Sequence, residues 1–375
     1  MIRMLLALIA IVLFLVFIAQ NASYVDVNFF YTWKVPLFVL LLLSFGLGFV
    51  VPYLYFLAKE IPLRNRLSKL ENALRELGRG YLGRSERLLS TLANSFKEVG
   101  VVYAFVLDLL GRHEELKRLE GPAYAFAGQM LLKRGFVQEA REKFQKALKE
   151  DKNNLTALKG LRDISFLEGR IEEALELQEK VLELVEKGEK DAQKAIKAEL
   201  LAHLYLTKGE DKLAQEAYDS YITPYVLYAY IVSLLRSGKT KEAKKQLEKA
   251  FSLGFQEDIF WYMLEDQKSL AELYDYIEGK RNLISPDTLA MIYLKLNLLK
   301  RIEDIKEEIS PAVKAIVHSA TSHKEEDRLF GKVVEDLICP FACSCGKPYK
   351  NYKLLCDNCY TWTNVKRRGS YACGC

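Results

Sequence analysis

The chain has 375 residues, 27% of them charged and 11% aromatic, with a formal net charge of +5. It is too apolar for a disordered protein, and its seven cysteines are too few to staple a chain of this length. The whole charge excess sits in residues 339–375, where six basic side chains oppose only Asp357, so a basic nucleic-acid-binding surface on the main body is disfavoured. Every cysteine falls in that same tail, between Cys339 and Cys375.

In chain order, Met4 to Ala19 and the 24 residues Val35 to Ala58 are uncharged. A hydrocarbon core of about 30 Å takes roughly 20 apolar residues as a helix, a length the second run meets. The first run could pass for a signal peptide, but it exceeds the usual apolar stretch of about 7 to 15 residues. A two-helix membrane hairpin over residues 1–58 is the better reading. Its connecting loop, Gln20 to Lys34, holds one acid and one base, whereas residues 59–80 hold six bases, which puts both termini in the cytoplasm. In a reducing compartment cysteines serve more often as metal ligands than as disulfides, so the tail and the topology agree. Ser44 and Gly48 give a small-xxx-small spacing that would let another helix approach. Gln20 and Asn21, the segment VDVNFF (25–30), Pro36, Leu37 and the run LLLLSFGLGFVV resemble the lipopolysaccharide assembly protein A domain.

Residues 59–84 read as a juxtamembrane amphipathic helix and hinge. Leu63, Leu67, Leu70, Leu74 and Leu77 draw one apolar stripe that needs a partner, either the protein itself or a second copy in a homodimer. Gly78, Gly80 and Gly83 spell a dinucleotide-type G-x-G-x-x-G. That motif requires a preceding strand to aim its amides at pyrophosphate, and here it follows the helical ENALREL, so we reject it.

From about 85 to 310 helical periodicity dominates and a repeat is visible. Gly135, Ala140, Phe144 and Ala147 are matched 34 residues later by Gly169, Ala174, Gln178 and Val181. The frame returns at Gly209, Ala214 and Tyr218, then at Gly238, Ala243, Leu247 and Ala250. Thirty-four residues is the tetratricopeptide period: a glycine reverses the chain between paired helices, and stacked pairs offer an extended surface that usually holds a peptide or protein. Residues 311–338 read as a helical linker. His113, His203, His318 and His323 lack any catalytic context. Phe260, Trp261 and Tyr262 read mainly as core, with a partner-binding patch as the alternative. The chain is expected not to be an enzyme.

The tail, residues 339–375, places Cys343 and Cys345 before a ten-residue loop and the pair Cys356 and Cys359 after it. Two close pairs across a loop are the layout of a four-thiolate tetrahedron suited to zinc or iron. Cys343, Cys345, Cys356 and Cys359 are the expected ligands. The one-residue spacer between the first two leaves little slack, so Cys339, Cys373 or Cys375 could replace Cys343. Phe341, Cys345-Gly346, Tyr349, Tyr352, Cys356, Cys359, Trp362-Thr363 and Arg368-Gly369 resemble, in order, the rubredoxin-like knob of lipopolysaccharide assembly protein B. With the repeats, that resemblance covers residues 122–375, while the front resembles protein A, as in a natural fusion.

The expected architecture is therefore all-α: a membrane hairpin, a tetratricopeptide-like α-solenoid and a small rubredoxin-like metal domain. The resemblance implies an inner-membrane adaptor that regulates lipopolysaccharide synthesis by presenting the lipid A deacetylase to a membrane-anchored AAA protease. A membrane-bound rubredoxin-like electron carrier is the alternative. A zinc-ribbon RNA binder, suggested by Lys366, Arg367 and Arg368 beside Tyr360 and Trp362, is weaker, since those aromatics more simply wrap the metal turn.

Overall fold

A computed structural model of the chain describes residues 16–17, 20, 23–29, 31–93, 99–322, 324–327, 329 and 339–367. It divides into two compact units, Met1–Val99 and Gly100–Cys375.

In the first unit, β1 (Tyr24–Phe29) pairs antiparallel with β2 (Tyr31–Pro36), in register from Tyr24 opposite Pro36 to Phe29 opposite Tyr31. The alternation of Val25, Val27 and Phe29 suits a strand, so what the sequence reads as a connecting loop is a strand pair. Helix α1 (Leu37–Gly78) follows without a break through Pro52 and Pro62. The uncharged stretch from Leu37 to Ala58 is thus one continuous helix, with Leu43, Leu47, Phe49, Val51, Leu54 and Phe56 exposed. The side chains of Phe38, Leu41, Leu42 and Phe45 lie outside the description, and among the described residues no helix is long and apolar enough to cross a membrane. The first predicted apolar run, Met4 to Ala19, lies almost wholly outside the described residues.

A turn over residues 79–81 joins α1 to α2 (Leu82–Ala93), which packs back on it; the Ser85 hydroxyl donates to the Ala73 carbonyl at 2.8 Å. Gly78 therefore ends a helix, Gly80 lies in the turn at φ +82° and Gly83 opens the next helix, with no strand ahead of them, as the rejection of the dinucleotide motif requires. The leucine stripe is split. Leu70 and Leu77 are half-buried beside the buried Ala73, while Leu63, Leu67 and Leu74 stay exposed.

The second unit is a stack of helix pairs. These are α3 (Val99–Leu109) with α4 (His113–Arg118), α5 (Tyr124–Lys133) with α6 (Val137–Glu150), α7 (Leu155–Leu167) with α8 (Ile171–Leu184), and α9 (Lys190–Lys208) with α10 (Asp211–Ser220). The stack continues with α11 (Pro224–Arg236) and α12 (Thr240–Leu253), α13 (Gln256–Met263) and α14 (Gln267–Gly279), α15 (Pro286–Lys295) and α16 (Leu299–Ile305), and ends on α17 (Pro311–Thr321). First helices stack on one another along the unit, α5 on α7, α9 on α11, and α11 through α13 and α15 to α17. Three first helices start on a hydroxyl before proline: Thr223, Ser285 and Ser310 each accept the amide three residues on, and the proline gives up no donor that the first turn needs.

The turn inside a pair explains the glycine period. Gly169 sits at φ +75°, a left-handed conformation in which a side chain is strained. In the last full pair Asn297 takes φ +58° in its place, which asparagine tolerates better than other residues, so the repeat continues where a glycine search loses it.

The core follows the expected positions. Ala140, Phe144, Ala147, Ala174, Val181, Ala214, Ala243, Leu247 and Ala250 are buried. Phe144 is clamped between two glycines: a Cβ at Gly160 would lie 2.2 Å from its ring and one at Gly128 2.8 Å. Gln178, at the position equivalent to Phe144, is also buried but serves a polar network described below. Beyond the repeats lie β3 (Phe341–Cys343), β4 (Pro348–Tyr349) and β5 (Val365–Arg367), an antiparallel sheet in the order β4-β3-β5. The all-α architecture thus holds with two small sheets added.

Because the fully buried Phe144 ring has nowhere to retreat, Gly160→Ala is expected to destabilise the second unit by about 1–3 kcal/mol, read as a lowered Tm. Gly188→Ala, where a Cβ meets nothing within 4 Å, is the control and should be near neutral.

Candidate metal centre and its seat on the repeats

Two tight turns build the thiol cluster. After β3 the Gly346 amide donates to the Cys343 carbonyl at 2.9 Å and the Cys343 amide to the Lys347 carbonyl at 3.0 Å, with Gly346 at φ +92°. In the second turn the Tyr360 amide donates to the Cys356 carbonyl at 2.9 Å and the Cys356 amide to the Thr361 carbonyl at 3.1 Å. The left-handed turn at Gly346 brings both thiols of the one-residue-spaced pair to the same side.

The Sγ atoms of Cys343, Cys345, Cys356 and Cys359 lie within 4.8 Å of one another. Cys343 and Cys359 are 3.5 Å apart and Cys345 and Cys356 3.7 Å. Four sulfurs about 2.3 Å from a central ion form a tetrahedron with edges of about 3.8 Å, so this donor set suits a thiolate-preferring ion. Cys339 is disulfide-bonded and stands apart from the cluster; Cys373 and Cys375 lie outside the described residues.

Side-chain donors surround the sulfurs. The Tyr349 hydroxyl is 3.1 Å from the Cys356 sulfur and 2.7 Å from the Asp357 carboxylate, and it accepts the Asp357 amide at 3.1 Å. The Thr361 hydroxyl lies 2.9 Å from the Cys359 sulfur and 3.6 Å from that of Cys343. The Asn358 amide group reaches the Cys345 sulfur at 3.5 Å. Burial pushes the Cys343 thiol up, yet the Cys345 amide and the Thr361 and Cys359 side chains outweigh it and bring it down to about 6. Cys345 is lowered by Asn358 and by the Lys347 amide, whereas burial drives Cys359 up to about 12. A cation at the centre of the four sulfurs would favour the thiolate form of all of them.

The residues next to these cysteines dock on the first-helix layer. The Trp362 indole donates to the buried Asp163 carboxylate of α7 at 2.7 Å, packs tilted against Phe166 at 4.9 Å between centroids and lies under the Arg162 guanidinium. Arg162, itself buried, donates to Asp163, to Gln178 at 2.6 Å and to Gln193 at 3.2 Å. Leu354 and Leu355 bury against Ile171, Ile196, Leu200 and Leu204. Tyr352 packs on Tyr225 and Tyr262 and donates to Glu199 at 3.3 Å, Phe341 stacks on Tyr262, and Arg367 faces Glu257 at 3.6 Å.

The aromatic trio of α13 therefore divides. Phe260 and Trp261 are core, with the Trp261 indole donating to Thr288, and Tyr262 contacts the knob. His203 approaches the Tyr225 hydroxyl at 3.1 Å, His113 lies against Phe136, His318 lies near Asp327, and His323 is outside the described residues. Sequence reasoning missed Arg162, Asp163 and Glu199. The available signal was charge inside otherwise apolar first helices.

Paired-helix repeats that seat a small thiol-rich knob define a helical-repeat scaffold with a candidate metal site. Residues 20–79 match the lipopolysaccharide assembly protein A domain, a span running from just ahead of β1 to the end of α1, and that domain associates the chain with a membrane. No curated protein matches the chain. A tetratricopeptide repeat protein from Parabacteroides merdae is similar over 72% of this chain and 99% of its own, at 16% identity and a TM-score of 0.37. The tetratricopeptide repeat domain of P58(IPK) is similar over 72% and 98%, at 12% identity and a TM-score of 0.22. The protein A domain at the front and the four-cysteine cluster at the end fit a scaffold of lipopolysaccharide assembly that resembles lipopolysaccharide assembly protein B.

Two measurements follow from this geometry. Elemental analysis of the purified full-length protein should find one zinc or iron per chain, lost in Cys356→Ala and kept in Cys339→Ala. Glu199, buried against the knob, has its carboxyl raised from 4.5 to about 7, chiefly by burial. Its contribution to stability is full below about pH 4.5 and lost as pH rises through 7, so Glu199→Gln should flatten the fall in Tm over that window.

Proposed function

We propose that this chain is an inner-membrane adaptor that regulates lipopolysaccharide synthesis. One observation carries the reading: a protein A domain, stacked helix pairs and a four-thiol knob occur in a single chain. Cys343, Cys345, Cys356 and Cys359 hold one iron or zinc ion, whose chemistry here is structural cross-linking of two turns. The uncharged segment Leu37–Ala58 of α1 and the apolar run before β1 span the membrane as a hairpin, with β1 and β2 as its outer connection. The six bases of residues 59–80 then face the cytoplasm, together with both termini and the repeats.

The repeats have the character of a scaffold, and their polar networks serve its packing. Arg162, Asp163, Gln178 and Gln193 satisfy one another inside the stack. On this reading the adaptor presents the lipid A deacetylase to a membrane-anchored AAA protease. Tethering the scaffold to the membrane confines the search of both partners to a surface, which raises their effective concentration at the repeats.

The test is genetic and biochemical together. Deleting the chain in its native host should lengthen the half-life of the deacetylase several-fold and raise the lipopolysaccharide level. Unchanged turnover and an unchanged lipopolysaccharide level would sink the proposal.

A further inference from the structure

The knob has almost no core of its own. Its strands are three, two and three residues long, and a unit of that size keeps its shape only with a cross-link or a metal. What it does have is a set of docking side chains, each a few residues from a cysteine of the cluster. Phe341 lies two residues before Cys343, Leu354 and Leu355 immediately precede Cys356, and Trp362 lies three after Cys359. The turns that gather the four sulfurs are the same turns that aim these side chains at α7, α9, α11 and α13.

The surface they cover has a definite chemistry. It offers the rings of Phe166, Tyr225 and Tyr262, and beside them the carboxylates of Asp163, Glu199 and Glu257. The knob answers with an aromatic N–H donor, a phenol and a basic side chain, from Trp362, Tyr352 and Arg367. The fit at the seam is incomplete. A cavity of about 370 Å³ remains between the repeats and the knob, with Leu206, Trp261 and Met291 on one side and Pro340, Lys350 and Asn351 on the other.

We infer that the repeat face lined by Phe166, Tyr225 and Tyr262 is a protein-docking surface occupied by the chain's own knob, and that the cross-linked four-thiol cluster is the clasp that keeps it there. When the cross-link is lost, the turns relax, the docking residues no longer converge, and the face opens. The partner it then fits is an aromatic-rich basic segment, because it must replace the donors that Trp362, Tyr352 and Arg367 supplied to three carboxylates. This rests on the proposed four-thiol metal site and adds what that site controls.

The experiment uses the full-length protein with a benzophenone side chain at position 206, on the rim of the cavity. In the metal-loaded protein, illumination should crosslink position 206 to residues 340–352, as read by mass spectrometry. Stripping the metal with a chelator under reducing conditions should abolish that crosslink, reductant alone, which opens the Cys339 disulfide, should leave it, and adding zinc back should restore it. Trp362→Ala and Tyr352→Ala, made separately, should lose the crosslink while retaining the metal, which separates docking from metal binding. A crosslink that persists in the stripped protein would overturn this inference alone. Wild-type protein that takes up no metal would overturn the four-thiol reading beneath it.

Discussion

A carboxylate buried among helices must be matched where it stands, and Asp163 is matched from two directions. Arg162 comes from the neighbouring position of the same helix, while the Trp362 indole arrives from 199 residues further along the chain. Removing either partner would leave a charge in a low-dielectric interior without full compensation, which is far costlier than leaving the pair unmade. Burial by itself drives the Asp163 carboxyl upward, and Arg162 and Trp362 act against that drive. With the knob seated, the Trp362 indole completes the hydrogen bonding of this polar pair on the covered face of α7. The departure of Gln178 from the Phe144 position has the same origin, since a phenylalanine there could not accept from Arg162.

That dependence changes what the repeat stack is for. A helical-repeat surface is ordinarily open to peptides, but here the first-helix layer from α7 to α13 is lined with aromatics already in contact with Phe341, Tyr352 and Trp362. A scaffold built this way has a covered face and an uncovered one. The second helices of the pairs, from α6 to α16, carry solvated Glu and Lys runs.

Much of the fold was legible because it depends on local rules. The turn glycines, the small buried residues Ala140, Ala174, Ala214 and Ala243, and the hydroxyl-proline starts at Thr223, Ser285 and Ser310 all act within a few residues of themselves. Legibility ended where one residue could stand in for another. Asn297 replaces the expected glycine and hides the last full pair. The leucine stripe of α1 is regular in sequence, yet only its Leu70 and Leu77 side is drawn toward cover, because a second helix can shield only part of such a stripe. The strand pair β1 and β2 is short, and six-residue alternation between two strongly apolar runs is easily read as a loop.

The cysteine cluster marks the same boundary. Spacing alone pointed to Cys345, Cys356 and Cys359 and left the fourth ligand open between Cys343, Cys339, Cys373 and Cys375, because a turn fixes the distance only between residues two or three apart. Their convergence within 4.8 Å and the disulfide at Cys339 are facts of the folded chain. By itself the sequence determined the helical repeat, the apolar front and the thiol-rich end, since each is written in periodicity or spacing over short distances. Only the tertiary structure decided that the knob sits on the repeats and that Asp163, Glu199 and Glu257 receive it. Those contacts join residues more than a hundred positions apart, and no local preference of the chain encodes which buried charge will meet which donor.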